Sequence, residues 1–318
     1  MQSMVLSWAL AAALFAGQAP RPLTLISEVR AAIAAHDLAK AEALVVQRRA
    51  QQGNTSEVIE AVSWLGRGAL AERQPDRAEQ FAVQAQTLTL AALGSRSVDE
   101  DAKLSNALGA AIETQAQVAT ARGARTDAIV FLEHELKTYR RTGIAKRIQK
   151  NINLLTLEGR PAPALDLSES LGAPLDRATA GALGGKVVVL FFWAHWCPDC
   201  KAEGPILAKL FAKYQANGLA IVAPTQRFGY VAGGKTAPPD EELLYIREIR
   251  DRFYPFLADV PVPVSVANHE RYGVSSTPTV VILDRQGIVR LYHPGQMTEE
   301  ELESRLRPLL VPATAPVR

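Results

Sequence analysis

The two cysteines of this 318-residue chain, Cys197 and Cys200, stand three positions apart, and no third thiol remains for a structural bridge. A pair so placed is there for its own chemistry, cycling between dithiol and disulfide. The run before it, KVVVLFFWAHW, is apolar and reads as a strand, whereas KAEGPILAKLFAKY after it reads as a helix. The thiols therefore fall at a strand-to-helix turn. Free backbone N–H groups and the positive end of the helix dipole stabilise a thiolate in that first turn, which assigns Cys197 as the exposed nucleophile. Cys200, one turn deeper on the same face, is the resolving thiol: it attacks a mixed disulfide at Cys197, closes the ring and releases the reduced substrate. Pro198 and Asp199 lie between them and tune the couple. The Asp199 carboxylate opposes ionisation of Cys197 and biases the pair toward the reducing side.

Other uses of a C-x-x-C pair are poorly supported. Structural zinc needs a second cysteine pair or two histidines at ligand spacing, and the chain has neither, so no metal and no cofactor are expected. The formal charge of +2 is small, and no block of Lys and Arg interleaved with aromatics offers to neutralise phosphates, which excludes a nucleic-acid partner. Apolar residues at 48% and charged residues at 21% describe folded protein rather than disorder.

The elements that must hold the pair divide the chain in two. From residue 23 to 157 the sequence is rich in Ala, Leu, Glu, Gln and Arg, with apolar residues at helical spacing. Breaks near His36-Asp37, 52–55, Gln74-Pro75-Asp76, 94–97, 123–125 and Thr142-Gly143 delimit about seven helices, with Thr55 and Asp76 as candidate N-caps. At 158–163 helix formers give way to Pro and Gly, which sets the boundary. Beyond it, β-rich runs at 187–193, 219–222, 263–266, 279–284 and 288–293 alternate with helical stretches at 200–216, 241–254 and 298–310. That alternation predicts an α/β sheet, made mixed by a final hairpin through 284–287. The predicted division is a leader over 1–20, a helical domain over 21–157, a redox domain over 158–312 and a disordered tail over 313–318.

Two resemblances follow. Gly66, Ala78 and Ala85 stand at the mutual spacings of the small residues in a tetratricopeptide hairpin, so the helical half resembles degenerate repeats of that kind; an irregular bundle is the alternative. Residues 160–312 resemble the thioredoxin superfamily and, within it, the TlpA/ResA-like extracytoplasmic thiol-disulfide oxidoreductases. The resemblance rests on the aromatic approach 193–196, the motif Cys197-Pro198-Asp199-Cys200, Pro205 at the helix-kinking position, Glu203 in CKAEGP, and the segment YGVSSTPT around Pro278. It implies a thioredoxin fold, Glu203 as proton partner of Cys200, and a cis bond before Pro278 that turns the backbone of Thr277 toward substrate beside Trp196. Phe191 occupies the place of the buried acid of thioredoxin proper, which leaves Glu203 alone in the proton role. The loop 226–236 emerges at the carboxyl end of a strand and carries Arg227, Phe228 and Tyr230, read either as a substrate-facing lid or as a solvated connection.

The apolar run VLSWALAAALFAG is of signal-peptide length, so the chain is expected outside the cytoplasm, cleaved or tethered to a membrane and facing the periplasm. The resemblance implies protein thiol and disulfide substrates, together with a redox donor or acceptor protein. The helices would bring a client close, raising its effective concentration. Two alternatives stay open. A copper chaperone of thioredoxin-like type would use both thiols and His269, although His195 and His269 read more simply as surface residues. In a helical scaffold, by contrast, the redox half would be secondary.

Overall fold

The computed structural model describes residues 24–172 and 183–310; the expected leader over 1–20 and tail over 313–318 lie outside the described residues. Helical periodicity in the first half becomes seven α-helices among them: α1 Leu25–Ala34, α2 Leu38–Gln52, α3 Ser56–Ala71, α4 Pro75–Leu93, α5 Ala102–Ala121, α6 Arg125–Tyr139 and α7 Ala145–Thr156. Four of them, α1, α2, α3 and α5, start at side chains that satisfy free N–H groups. Thr55 accepts from Val58 N–H, and Asp101 accepts from Lys103 and Leu104 N–H. Asp76 is not a cap. Helix α4 begins one residue earlier because the fixed φ of Pro75 suits the first helical position, which leaves Asp76 in the first turn to pair with Arg122, just past the end of α5, at 2.6 Å.

Helices α3 and α4 approach closely because Gly66 has no side chain: a Cβ there would meet the Ala78 carbonyl at 3.3 Å. Val58, Val62 and Leu65 of α3 join α1 and α2 in one core, while Leu104, Leu108 and Ile112 of α5 join Leu132, Ile148 and Ile152 in a second.

The second half is a four-stranded mixed sheet in the order β2-β1-β3-β4, with β1 Val187–Phe192, β2 Leu219–Val222, β3 Thr279–Leu283 and β4 Val289–Pro294. β1 pairs parallel with β2 and antiparallel with β3, and β3 pairs antiparallel with β4. Every residue of β1 is buried, as its unbroken apolar run requires. Val187, Val189 and Phe191 face α8 (Pro198–Tyr214), α9 (Pro239–Phe253) and α11 (Glu299–Leu310), while Val188, Leu190 and Phe192 face Leu157, Tyr272 and Val274. The expected strand at 263–266 does not form. Pro261 and Pro263 lack ladder donors, so only isolated bridges to Thr225 and Ser170 remain, and Val266 instead opens α10 (Val266–Arg271).

The two halves meet closely. The boundary segment pairs with β4: Gly159 N–H donates to the Val289 carbonyl, Val289 N–H to that of Arg160, and Ala162 N–H to that of Gly287. At Gly273 (φ +59°) the chain passes so close to α7 that a Cβ would meet Lys150 N at 2.4 Å.

Candidate active site

β1 ends at Phe192 and α8 starts at Pro198, so Trp193 to Cys197 form the turn that carries the site. Trp193 is pinned from both ends: its indole N–H donates to the Ala223 carbonyl at 3.1 Å, and its own carbonyl accepts from Thr225 Oγ1 at 2.8 Å. Pro198 takes the first helical position, and Cys197 is the N-cap. Its Sγ accepts a hydrogen bond from Cys200 N–H at 3.0 Å, a donor that holds a thiolate as readily as a sulfide. Cys197 and Cys200 are joined as a disulfide, with Cα atoms 5.3 Å apart.

The peptide bond Thr277-Pro278 is cis and faces the pair, with the Thr277 carbonyl oxygen 3.4 Å from Cys197 Sγ. That close cover alters one expectation: Cys197 is 1% exposed rather than open to solvent. The exposed member of the motif's approach is Trp196, at 46%, and Pro198 and Asp199 are exposed as well. A cavity of about 230 Å3 opens beside the pair, lined by Trp196, Phe228, His269 and Thr277 from the redox half and by Lys146 from α7.

Glu203 lies one turn along α8 from Cys200, hence on that residue's face. It is fully buried, and neither carboxylate oxygen has a hydrogen-bond partner within reach. Burial pushes its pKa up to about 7, with the Met297 backbone, too poorly placed for a hydrogen bond, pulling weakly the other way. Its apolar pocket includes Tyr254, whose ring packs at 5.0 Å from that of Trp193 and at 6.0 Å from that of Phe191. Gly204 makes room for that ring, since a Cβ there would meet Tyr254 Cδ1 at 2.8 Å. Burial, with the Glu203 charge adding to it, raises the Tyr254 hydroxyl.

The loop after β2 divides. Phe228 packs edge-on against Trp196 at 5.6 Å and lines the cavity. Arg227 points elsewhere, bound in a two-pronged ion pair to Glu169 with both contacts at 2.6 Å. Tyr230 packs on His195 at 5.4 Å. His195 and His269, expected at the surface, are each 1% exposed. Burial lowers the His195 pKa against the upward pull of Glu242, whose Oε1 lies 3.3 Å from Nε2, and burial holds His269 down at about 3. Glu242 has no signature in the sequence. It is nonetheless the anchor of this loop, accepting from Phe228 N–H at 2.5 Å and from Gly229 N–H at 2.8 Å.

A disulfide that can open onto a helix amino end, faced by a cis-proline segment on a mixed sheet, places this molecule among the thioredoxin-fold thiol–disulfide oxidoreductases. Known proteins agree. Residues 174–309 match the thioredoxin-like domain family. The chain is 32% identical over 149 residues to the thioredoxin-like protein YneN of Bacillus subtilis, a match covering 47% of this chain and 78% of that protein. The chain belongs to the thioredoxin-like family. It is also 30% identical over 124 residues to the thiol-disulfide oxidoreductase ResA of Halalkalibacterium halodurans, covering 38% of this chain and 61% of that one. Among solved structures, a thiol-disulfide isomerase from Corynebacterium glutamicum aligns over 48% of this chain and 97% of its own, at 22% identity and a TM-score of 0.40.

Proposed function

We propose that this protein works outside the cytoplasm as a reductant of protein disulfides, with its tetratricopeptide-like helices as the module that meets the client. The observation that carries the reading is the paired setting of the two sulfurs. Cys197 Sγ receives the Cys200 N–H at a helix amino end, while Cys200 shares its face of α8 with a buried carboxyl near neutral pKa.

In the reduced enzyme, the Cys197 thiolate attacks one sulfur of the client disulfide. A Cys197–client bond forms, the client's S–S bond breaks, and the departing client sulfur leaves as a thiolate that takes a proton from solvent. Glu203 then takes the proton of the Cys200 thiol, and the resulting thiolate attacks Cys197 Sγ. The internal disulfide forms and the second client thiolate departs. Two electrons have passed from the cysteine pair to the client, and an external dithiol protein must return them before another turnover. Trp196 and Thr277 frame the approach, with the Thr277 backbone beside the attacked sulfur available to pair with an extended client chain. Pro198 and Asp199, both at the surface, set the potential of the couple. Arg227 and Tyr230 act one step removed, by holding the loop that presents Phe228.

The deciding experiment combines the potential of the Cys197–Cys200 couple with capture by a Cys200→Ser variant in intact cells. A potential below about −200 mV and exported proteins trapped as mixed disulfides on Cys197 are the expected results. A potential near the roughly −120 mV of a strong oxidant reverses the direction of electron flow.

A further inference from the structure

The cavity beside the disulfide continues into a second one of about 320 Å3, the two sharing Gly143, Ser275 and Ser276 in their walls. The first is part of the thiol site. The second lies between the helical half and the cis-proline segment, and its walls are basic. Arg67 of α3 and Arg147 and Lys150 of α7 converge on a single carboxylate, Glu113 of α5. Arg67 reaches Oε2 at 3.1 Å, Arg147 reaches the same oxygen at 2.5 Å, and Lys150 holds Oε1. Lys146, in the wall of the first cavity, makes no ion pair among the described residues. One carboxylate thus faces three cations in the second cavity, with Lys146 a fourth in the wall of the first. Two acids bond to residues of the wall without lining it: Asp99 accepts the Gly143 N–H, and Glu60 accepts from Asn106.

The cations are partly withdrawn from water, with Arg147 and Lys150 side chains 17% and 14% exposed, so the surplus charge is weakly screened. Ser275 and Ser276, which join the two cavities, are exposed and directly precede Thr277. Along the backbone Ser275 lies at most about 7 Å from Thr277, the span of two extended residues.

Resting on the reading of the site as a reductant of protein disulfides, we infer that this basic pocket is its specificity subsite. It receives an acidic side chain of the client polypeptide, two or three residues from the cysteine under attack. The client's cysteine meets Cys197 while its neighbouring Glu or Asp enters between Lys146, Arg147, Lys150 and Arg67. The helical half is then part of the substrate site rather than a distant tether.

The test uses the full chain and two peptides carrying an intramolecular disulfide, identical except for Glu or Gln two residues from one cysteine. Pre-reduced protein is mixed with each, and the second-order rate of peptide reduction is read at low and high salt. The Glu peptide is expected to react about tenfold faster at low salt, the ratio collapsing toward one in 0.5 M salt and in Lys146→Glu. Because the readout is a ratio, a variant that merely folds less well lowers both rates and leaves it unchanged. Salt acts on the native chain and needs no variant. Equal rates for the two peptides at low salt overturn the subsite while leaving the reductase reading intact. Binding of the fluorescently labelled Glu and Gln peptides to the oxidised chain is read in parallel and needs no chemistry. If neither peptide is reduced but the Glu form binds about tenfold tighter, the subsite stands and the reductase reading falls; if the two forms bind alike, both fall.

Discussion

Replacing Glu203 by Gln removes a titration that the fold otherwise carries, and its size follows from the structure. In the folded chain burial raises this carboxyl from 4.5 to about 7. Between those values the native state keeps a proton that the unfolded chain has released, so the protonated group's contribution to stability is complete below about pH 4.5 and lost as pH rises through 7. The shift corresponds to about 3 kcal/mol. The oxidised protein is the right sample, because the disulfide keeps both cysteines from titrating. Urea unfolding of wild type and Glu203→Gln, followed from pH 4 to 8, gives the stability difference at each pH. Other groups titrate over part of this range, His195 and His269 with the opposite sign since burial lowers both, but they cancel in the difference. Wild type should lose about 3 kcal/mol relative to the variant between pH 4 and 8. A difference that stays flat across that range would show that Glu203 is solvated or paired in the native state, and the proton role built on its burial would go with it.

Gly273→Ala puts a Cβ into the backbone of Lys150 at a residue with φ +59°, so it should destabilise the chain by more than about 2 kcal/mol and loosen α7 from the redox half, read by urea unfolding and by hydrogen exchange in α7. Glu242→Ala strips the acceptor from Phe228 and Gly229 N–H and from His195; a loss of about 3 kcal/mol and faster proteolysis within 226–236 are expected, and a neutral result would deny it the anchoring role. Asp199 is exposed, so its field on Cys197 is screened: Asp199→Asn should raise the potential of the couple by only about 10–20 mV, measured by equilibration with glutathione, and a shift above about 60 mV would mean a tighter coupling than its exposure allows.

What could be read in the sequence was local. The cysteine pair, its strand and its helix lie within about thirty consecutive residues, so pattern and spacing convey their arrangement. The seven-helix first half was legible for the same reason, through breakers that end helices wherever they occur. Exposure was not legible, because it is decided by distant chain. Cys197 is covered by Thr277, eighty positions away, and His195 is buried against Glu242, forty-seven away. Arg227 looked free because Glu169, its partner, lies fifty-eight residues upstream. The strand expected at 263–266 failed on local grounds that were visible: the two prolines outweigh the β-branched residues around them. The approach of α7 to the cis-proline segment left only one trace in the sequence, a glycine at 273 whose reason is another element's backbone.

The pairing of residues 159–162 with β4 bears on how the redox half should be handled in isolation. Without that short stretch, Gly287 and Val289 at the start of the β4 edge would present unpaired amide and carbonyl groups and lengthen the bare edge on which one molecule can add to the next. A fragment that begins at Ala164 should therefore self-associate. One that begins ahead of Glu158 keeps its own cover strip and should stay monomeric, so the seam between the halves belongs, structurally, to the second.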